Sequence, residues 1–271
     1  MQLDVIVTDV FGSSVNVLLG YGNGSFAKHT AYSTGSMPTC IAVADFNEDN
    51  RLDIVVANSF GRNVSVLLGY GSGSFANQVM HSTGSTPFYV AVGDFNGDTR
   101  LDTVVTNNDD NSVSVLLEYG NGSFANQTTH STGSGPFFVA ICDFNRDTKL
   151  DLFVTNQGDS NVSVLLGYDN DSFANQATHS TGNNSQPYSI TIADFNNDTL
   201  LDIIVTNYDA DNVVILIGHG NGTFEDPKVF SIGYGSFPFS VVAGDFNRDR
   251  KLDFAVANYG TDNLKIMLQN S

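Results

Sequence analysis

Hydrophobic positions fall in short runs along this chain, and the order of the runs repeats. A first run opens on proline and reads Pro87-Phe88-Tyr89-Val90-Ala91-Val92-Gly93, with counterparts opening at Pro38, Pro136, Pro187 and Pro238. Proline at the start of a strand removes no ladder hydrogen bond. A polar loop follows, then a second run such as Leu52-Asp53-Ile54-Val55-Val56-Ala57-Asn58. Its unbroken apolar stretch predicts a strand buried on both faces. The third run, Val64-Ser65-Val66-Leu67-Leu68, alternates and predicts a half-buried strand. The fourth starts at a fixed phenylalanine (Phe26, Phe75, Phe124, Phe173, Phe224) and in most units runs into Ser-Thr-Gly, an exposed edge. Between third and fourth, Asn23-Gly24, Ser72-Gly73, Asn121-Gly122 and Asn221-Gly222 predict type I′ hairpins, with the weaker Asn170-Asp171 in one copy.

The first Asp of the polar loop recurs at 45, 94, 143, 194 and 245, a period of 49 to 51 residues. A fixed period of this size signals a solenoid, propeller or array. Four antiparallel strands per repeat, joined by short turns, make a propeller blade, and no helical periodicity is sustained. The fold expected is therefore an all-β propeller, one domain over 1–271. Its units run 1–37 (partial), 38–86, 87–135, 136–186, 187–237 and 238–271 (partial). Six sectors with incomplete ends waste less chain than a five-blade ring, which would leave residues 3–20 over. A piece of a longer repeat protein is the third arrangement.

The polar loop carries the chemistry. Its copies place oxygen side chains at positions 1, 3, 5 and 9, with apolar anchors at 2 and 8. The candidate ligands are Asp45, Asn47, Asp49, Arg51 and Asp53, then Asp94, Asn96, Asp98, Arg100 and Asp102. Next come Asp143, Asn145, Asp147, Lys149 and Asp151, then Asp194, Asn196, Asp198, Leu200 and Asp202, and last Asp245, Asn247, Asp249, Lys251 and Asp253. Position 7 is mixed because it would offer its backbone carbonyl. Three carboxylates and an amide suit a hard divalent cation with many oxygen ligands. Thiol and imidazole are missing, which disfavours zinc and copper. Calcium, about five ions per chain, is the cofactor expected. The competing reading is a metal-free network of Asx turns.

Asp-x-Asn-x-Asp-x-x-x-Asp between two strands, with Leu-Asp-Ile-Val-Val-Ala-Asn after it and Leu-Leu-Gly-Tyr-Gly-Ser-Gly-Ser-Phe beyond, resembles the FG-GAP/VCBS repeat. That repeat builds the calcium-binding propeller of integrin α-chain heads and of many secreted or surface proteins. The resemblance spans essentially the whole chain and implies calcium ligands at positions 1, 3, 5, 7 and 9 of each loop. It also implies an extracellular or cell-surface interaction or adhesion module without catalytic activity. Two departures stand out. Position 6, often glycine, holds Asn50, Thr99, Thr148, Thr199 and Arg250, and the first unit keeps only Asp4, so no site is expected there.

Charge sharpens this picture. The formal charge is −18, and 15 of the 29 acidic residues lie at positions 1, 5 and 9, so five divalent cations would bring it to −8. With 11 Lys and Arg, nucleic acid is excluded as a partner. No apolar run of membrane-spanning length exists, so no membrane insertion by this chain is expected, and Met1 to Val5 does not read as a signal peptide. The chain starts in mid-repeat and looks truncated at its N-terminus. Cys40 and Cys142 read as small buried apolar residues.

His81, His130 and His179 recur where other units carry Tyr32 and Phe230, which marks a strand face rather than a catalytic or zinc position. Asp109-Asp110 and Asp209-Ala210-Asp211 read as solvated loop acids. Sequons at Asn23, Asn63, Asn121, Asn126, Asn161, Asn170, Asn183, Asn197 and Asn221 are compatible with a secreted glycoprotein. Variable turns at the end opposite the polar loops are where a protein or glycan ligand is expected. Two rivals remain: a sugar-binding propeller with Phe88, Tyr89, Phe137, Phe138 and Tyr188 as stacking surfaces, and an accessory domain of a larger secreted enzyme.

Overall fold

The computed structural model describes residues 3–168 and 171–269. They form strands and turns without a helix, so none is long and apolar enough to cross a membrane. Two compact units divide the chain, the first reaching His130 and including Asp171, the second holding the rest.

The first unit holds three antiparallel sheets. One has three strands, β1 (Val5–Asp9), β2 (Ser14–Leu18) and β3 (Thr30–Ser33). The next has four, β4 (Pro38–Ala44), β5 (Asp53–Asn58), β6 (Asn63–Leu67) and β7 (Val79–Ser82). The third has β8 (Pro87–Gly93), β9 (Asp102–Asn107), β10 (Ser112–Leu116) and β11 (Thr128–Ser131).

The second unit continues the pattern with β12 (Pro136–Cys142), β13 (Asp151–Asn156), β14 (Asn161–Leu165) and β15 (Ala177–Ser180). Then follow β16 (Pro187–Ala193), β17 (Asp202–Asn207), β18 (Asn212–Leu216) and β19 (Lys228–Ser231). The last sheet has three strands, β20 (Pro238–Gly244), β21 (Asp253–Asn258) and β22 (Asn263–Met267). Six sheets of three or four consecutive antiparallel strands make a propeller-like repeat fold, with the first and last sheets short by one strand.

Each core forms where the face of one sheet meets the next. In the first unit Phe46, Val55 and Val66 pack with Val90, Val105 and Leu116. In the second, Phe144, Phe153 and Val164 pack with Ile190, Ile203 and Leu216. In the four complete sheets the second strands are buried along their whole length, as their apolar runs predict. The third strands are a correction. Ser65, Ser114 and Ser163 are fully buried rather than half exposed, because each hydroxyl accepts from the asparagine that ends the second strand. The chain satisfies a buried hydroxyl with a buried amide, which removes the cost of its desolvation.

Two turn expectations also change. The fixed phenylalanine forms an isolated bridge to the residue just past the third strand (Gly20↔Phe26, Gly69↔Phe75), and the fourth strand starts later and spans four residues. The hairpin is not a two-residue type I′ turn. Positive φ falls on Gly22 (76°) and Gly24 (86°), while Asn23 accepts from the Ser25 backbone and hydroxyl. The Asn170 turn and sequon lie outside the described residues.

Candidate metal centre

Every polar loop folds in one way. The position-1 carboxylate accepts two backbone N–H groups, from position 5 (Asp49 N to Asp45 Oδ1, 3.1 Å) and position 6 (Asn50 N to Asp45 Oδ2, 2.7 Å). The same pair recurs at Asp94, Asp143, Asp194 and Asp245. The position-3 amide oxygen meets the same N–H as position 1 (Asp49 N to Asn47 Oδ1, 3.3 Å), and Asn96, Asn145, Asn196 and Asn247 do likewise. Position 5 accepts the N–H of position 7, at 2.7–2.9 Å for Arg51, Arg100, Lys149, Leu200 and Lys251.

This wrapping forces the backbone left-handed at positions 4 and 6. Glu48, Gly97, Arg146, Asn197 and Arg248 have φ between 58° and 77°. Thr99, Thr148 and Thr199 have φ of 72–75°, a costly conformation for a β-branched residue. The missing glycine at position 6 is therefore a real strain, held by the position-1 carboxylate that takes the N–H of that same residue.

Position 9 does something the sequence did not suggest. Asp53, Asp102, Asp151, Asp202 and Asp253 are fully buried. One oxygen of each accepts the N–H of position 2 at 2.9–3.0 Å. The other accepts the N–H just past the third strand, from Gly69, Glu118, Gly167, Gly218 and Gln269, at 2.7–2.9 Å. Asp4 makes this second bond as well, to Gly20 N at 2.8 Å. Burial lifts the carboxyls of Asp53, Asp151 and Asp202 above the usual range and Asp102 to about 6, with neighbouring loop carboxylates adding to the rise.

Among the described residues no three acidic, His or Cys side chains are gathered closely enough to hold a metal ion as they stand. The donor set nevertheless fits calcium: oxygens alone, with positions 1 and 3 converging on one N–H and position 9 near enough to feel the charges at 1 and 5. Each carboxylate oxygen used by one N–H keeps a second lone pair.

At the other end of the sheets the turn acids are not simply solvated. Asp110 accepts Ser85 N (2.6 Å) and Asp159 accepts Ser134 N (2.8 Å). Asp211 takes Gly235 N and Phe237 N, and these bonds hold its carboxyl low against the burial that would raise it. They join the turn after the second strand to the turn before the first. The fourth-strand His81 and His179 are cross-links between neighbouring sheets. His179 lies 3.0 Å from Gly222 O and 4.9 Å from the Phe224 ring, as Tyr32 lies 3.2 Å from Gly73 O and 5.3 Å from Phe75. Cys40 and Cys142 are unpaired and part-buried, and burial pushes the Cys142 thiol up to about 12.

Sheet order, register and the repeated loop define an all-β, propeller-like repeat protein. The FG-GAP-like repeat matches five times, over residues 1–56, 45–105, 95–154, 143–205 and 194–256. The chain belongs to that family. No curated protein matches it. Its fold is similar to a putative 6-phosphogluconolactonase from Bacteroides fragilis (TM-score 0.68, 12% identity, covering 98% of this chain and 80% of that one). It is also similar to the periplasmic gluconolactonase of Pseudomonas aeruginosa (0.67, 16%, 98% and 70%). A third likeness is a catalytically inactive virginiamycin B lyase from Staphylococcus aureus with quinupristin (0.65, 15%, 98% and 77%).

These likenesses concern the fold, and they correct one expectation. Absence of catalytic activity does not follow from a propeller-like architecture, since proteins named as lactonases and a lyase share it.

Proposed function

We propose that the chain is a calcium-stabilised interaction module of extracellular or cell-surface proteins, with an adhesive role. The observation that carries this reading is the fivefold recurrence, in register, of a strained loop lined only by oxygen donors. Asp at positions 1, 5 and 9, Asn at 3 and the carbonyl of position 7 would hold one ion per loop. The chemistry the ion supplies is charge neutralisation of three carboxylates whose mutual repulsion otherwise opposes the fold. The chain's own share is to place those oxygens and to seal the loop onto the sheet through the position-9 clasp. A protein or glycan ligand would use the variable turns at the opposite end.

Because an ion bound only by the folded state stabilises it by mass action, about 2.7 kcal/mol per site at a hundredfold excess over Kd, chelation is the test. Removing calcium should lower the melting temperature markedly, and elemental analysis should return about one ion per complete loop. An unchanged melting temperature together with no calcium in the purified protein would end this reading.

A further inference from the structure

Nine sequons run along the chain, and the fold sorts them. In the hairpins that join third to fourth strands, Asn23, Asn121 and Asn221 stand exposed. The amide oxygen of each accepts twice from the residue two places on. The backbone N–H groups of Ser25, Ser123 and Thr223 reach it at 2.9–3.1 Å, and their hydroxyls donate to it at 2.5–2.7 Å. The amide nitrogens of these three asparagines donate to no protein group among the described residues. Asn121 and Asn221 belong to complete four-stranded sheets, so no missing strand accounts for their exposure.

The remaining described sequons lack this arrangement. Asn63 gives its nitrogen to Gly61 O (2.7 Å), and its oxygen holds Asn58 Nδ2 (2.8 Å). The Asn161 oxygen holds Asn156 Nδ2 (2.7 Å). Asn58 and Asn156 are fully buried, so turning either sequon outward strands a buried donor. Asn126 and Asn183 are exposed, but the hydroxyl two places on is spent elsewhere. Thr128 donates to Asp171 Oδ2 at 3.0 Å, and the fully buried Ser185 pairs with Thr181 Oγ1 at 2.8 Å. Asn197 stands at position 4 of a polar loop, where it and Thr199 are both left-handed and Asp194 holds the Thr199 N–H.

A hydroxyl donated to the amide oxygen draws electron density from the nitrogen and makes its N–H more acidic. That favours the proton loss that accompanies bond formation at nitrogen. We infer that Asn23, Asn121 and Asn221 are the N-glycosylation sites of this chain. The donor is of the polyprenyl-pyrophosphate-linked oligosaccharide class. Nδ2 bonds to C1 of the sugar, the C1–O bond to pyrophosphate breaks with its electron pair, and one Nδ2 proton passes to a base of the transferase. The turn bonds span two residues, so they form in the growing chain before tertiary contacts exist. Exposure of the folded hairpin then leaves room for the glycan. All three hairpins follow third strands and lie at the end of the sheets that carries the polar loops. Glycans there shield the loop end and leave the opposite end open to a ligand. The inference rests on the extracellular reading of the chain, and it does not require calcium at the loops.

The second sheet supplies a natural blank. Its hairpin closes as the third does (Tyr70 N to Ser74 O, 2.9 Å; Tyr119 N to Ser123 O, 3.0 Å), but Ser72 replaces the asparagine. The test is secretion of the chain from a eukaryotic cell behind a cleavable leader. The purified protein is then treated with the amidase that converts glycosylated asparagine to aspartate. Peptide mass spectrometry should find that conversion at Asn23, Asn121 and Asn221, and not at Asn63 or Asn161. Asn121→Gln and Ser123→Ala should each remove one glycan from the intact mass. Ser72→Asn completes the motif with Ser74 and should add one. Melting curves of each variant separate loss of a glycan from loss of fold.

Bare Asn121 and Asn221 on the secreted chain overturn the inference. So does a glycan on Asn63 or Asn161 of the folded protein, or a folded Ser72→Asn variant that gains none. Calcium bound at the loops of a secreted chain whose hairpins stay bare removes this inference alone. Glycans on the hairpins of a chain that binds no calcium remove the loop reading alone.

Discussion

The two compact units carry the same polar loop and differ at the other end of their sheets. At the residue after the opening proline the first unit has Thr39 and Phe88, and the second has Phe137, Tyr188 and Phe239. Just past the second strand the first has Ser59 and Asn108, while the second has Gln157, Tyr208 and Tyr259. The loop end is repeated because its side chains satisfy backbone groups that every copy must satisfy: two N–H groups at position 1, and two more in the buried clasp at position 9. At the opposite end the pairing common to the copies is backbone to backbone (Ser59 N to Met37 O, Tyr208 N to Gln186 O), and a turn carboxylate adds to it only in some copies (Asp110, Asp159, Asp211), so the other side chains are at liberty to diverge. Repetition marks the backbone's needs, and divergence marks the positions those needs leave open.

The strongest way to break this comparison is to remove the clasp in each unit. Asp102→Ala and Asp202→Ala each strand two buried N–H groups and should each cost roughly 3 kcal/mol or more in urea unfolding. A loss below about 1 kcal/mol in either unit would show that the loop end does not owe its sameness to the backbone.

A smaller loss is expected from Asp211→Ala, about 1 kcal/mol, since its partners lie in partly exposed turns. The carboxyl of Asp211 is held below its unfolded value near 3.9. Its contribution is therefore present at neutral pH and fades as pH falls through the lowered value, so the variant should show a flatter acid limb in a pH series of melting curves. An acid limb as steep as that of the unmodified chain would contradict this.

Thr148→Gly relieves the left-handed strain at φ 72° and should stabilise by on the order of 0.5–1 kcal/mol once the entropy of glycine is set against it. Destabilisation would place the strain elsewhere.

The smallest effect concerns His81. Burial lowers its pKa, and its Nε2 has no hydrogen-bond partner. The unfolded chain then takes up the proton first as pH drops below about 6.5, and stability falls with it. His81→Phe, the residue type that Phe230 supplies at the matching position, should remove that fall and leave stability at pH 8 within about 0.5 kcal/mol. A steeper fall in the variant would argue against a buried neutral ring.

Much of this was legible along the chain. The strand runs, the period and the loop spacing are local properties: a position-1 carboxylate reaches N–H groups four and five residues on, so spacing alone specifies the wrap. Even the lack of glycine at position 6 could be read directly, and its strain followed. Other features hid because their partners are distant. Ser65 looked half exposed, yet the hydroxyl is buried against Asn58, and nothing in a Val-Ser-Val alternation records a partner on the neighbouring strand. Position 9 read as a ligand only, and its two oxygens also accept N–H groups, one of them sixteen residues away.

By itself, then, the order of residues determined the strands, the repeat and the oxygen-lined loops, because each depends on neighbours within one turn or one pleat. Tertiary structure alone decided that Tyr188, Tyr208, Phe237 and Tyr259 belong to one surface. Those rings come from two successive sheets, and only the packing of one sheet face on the next brings them within contact.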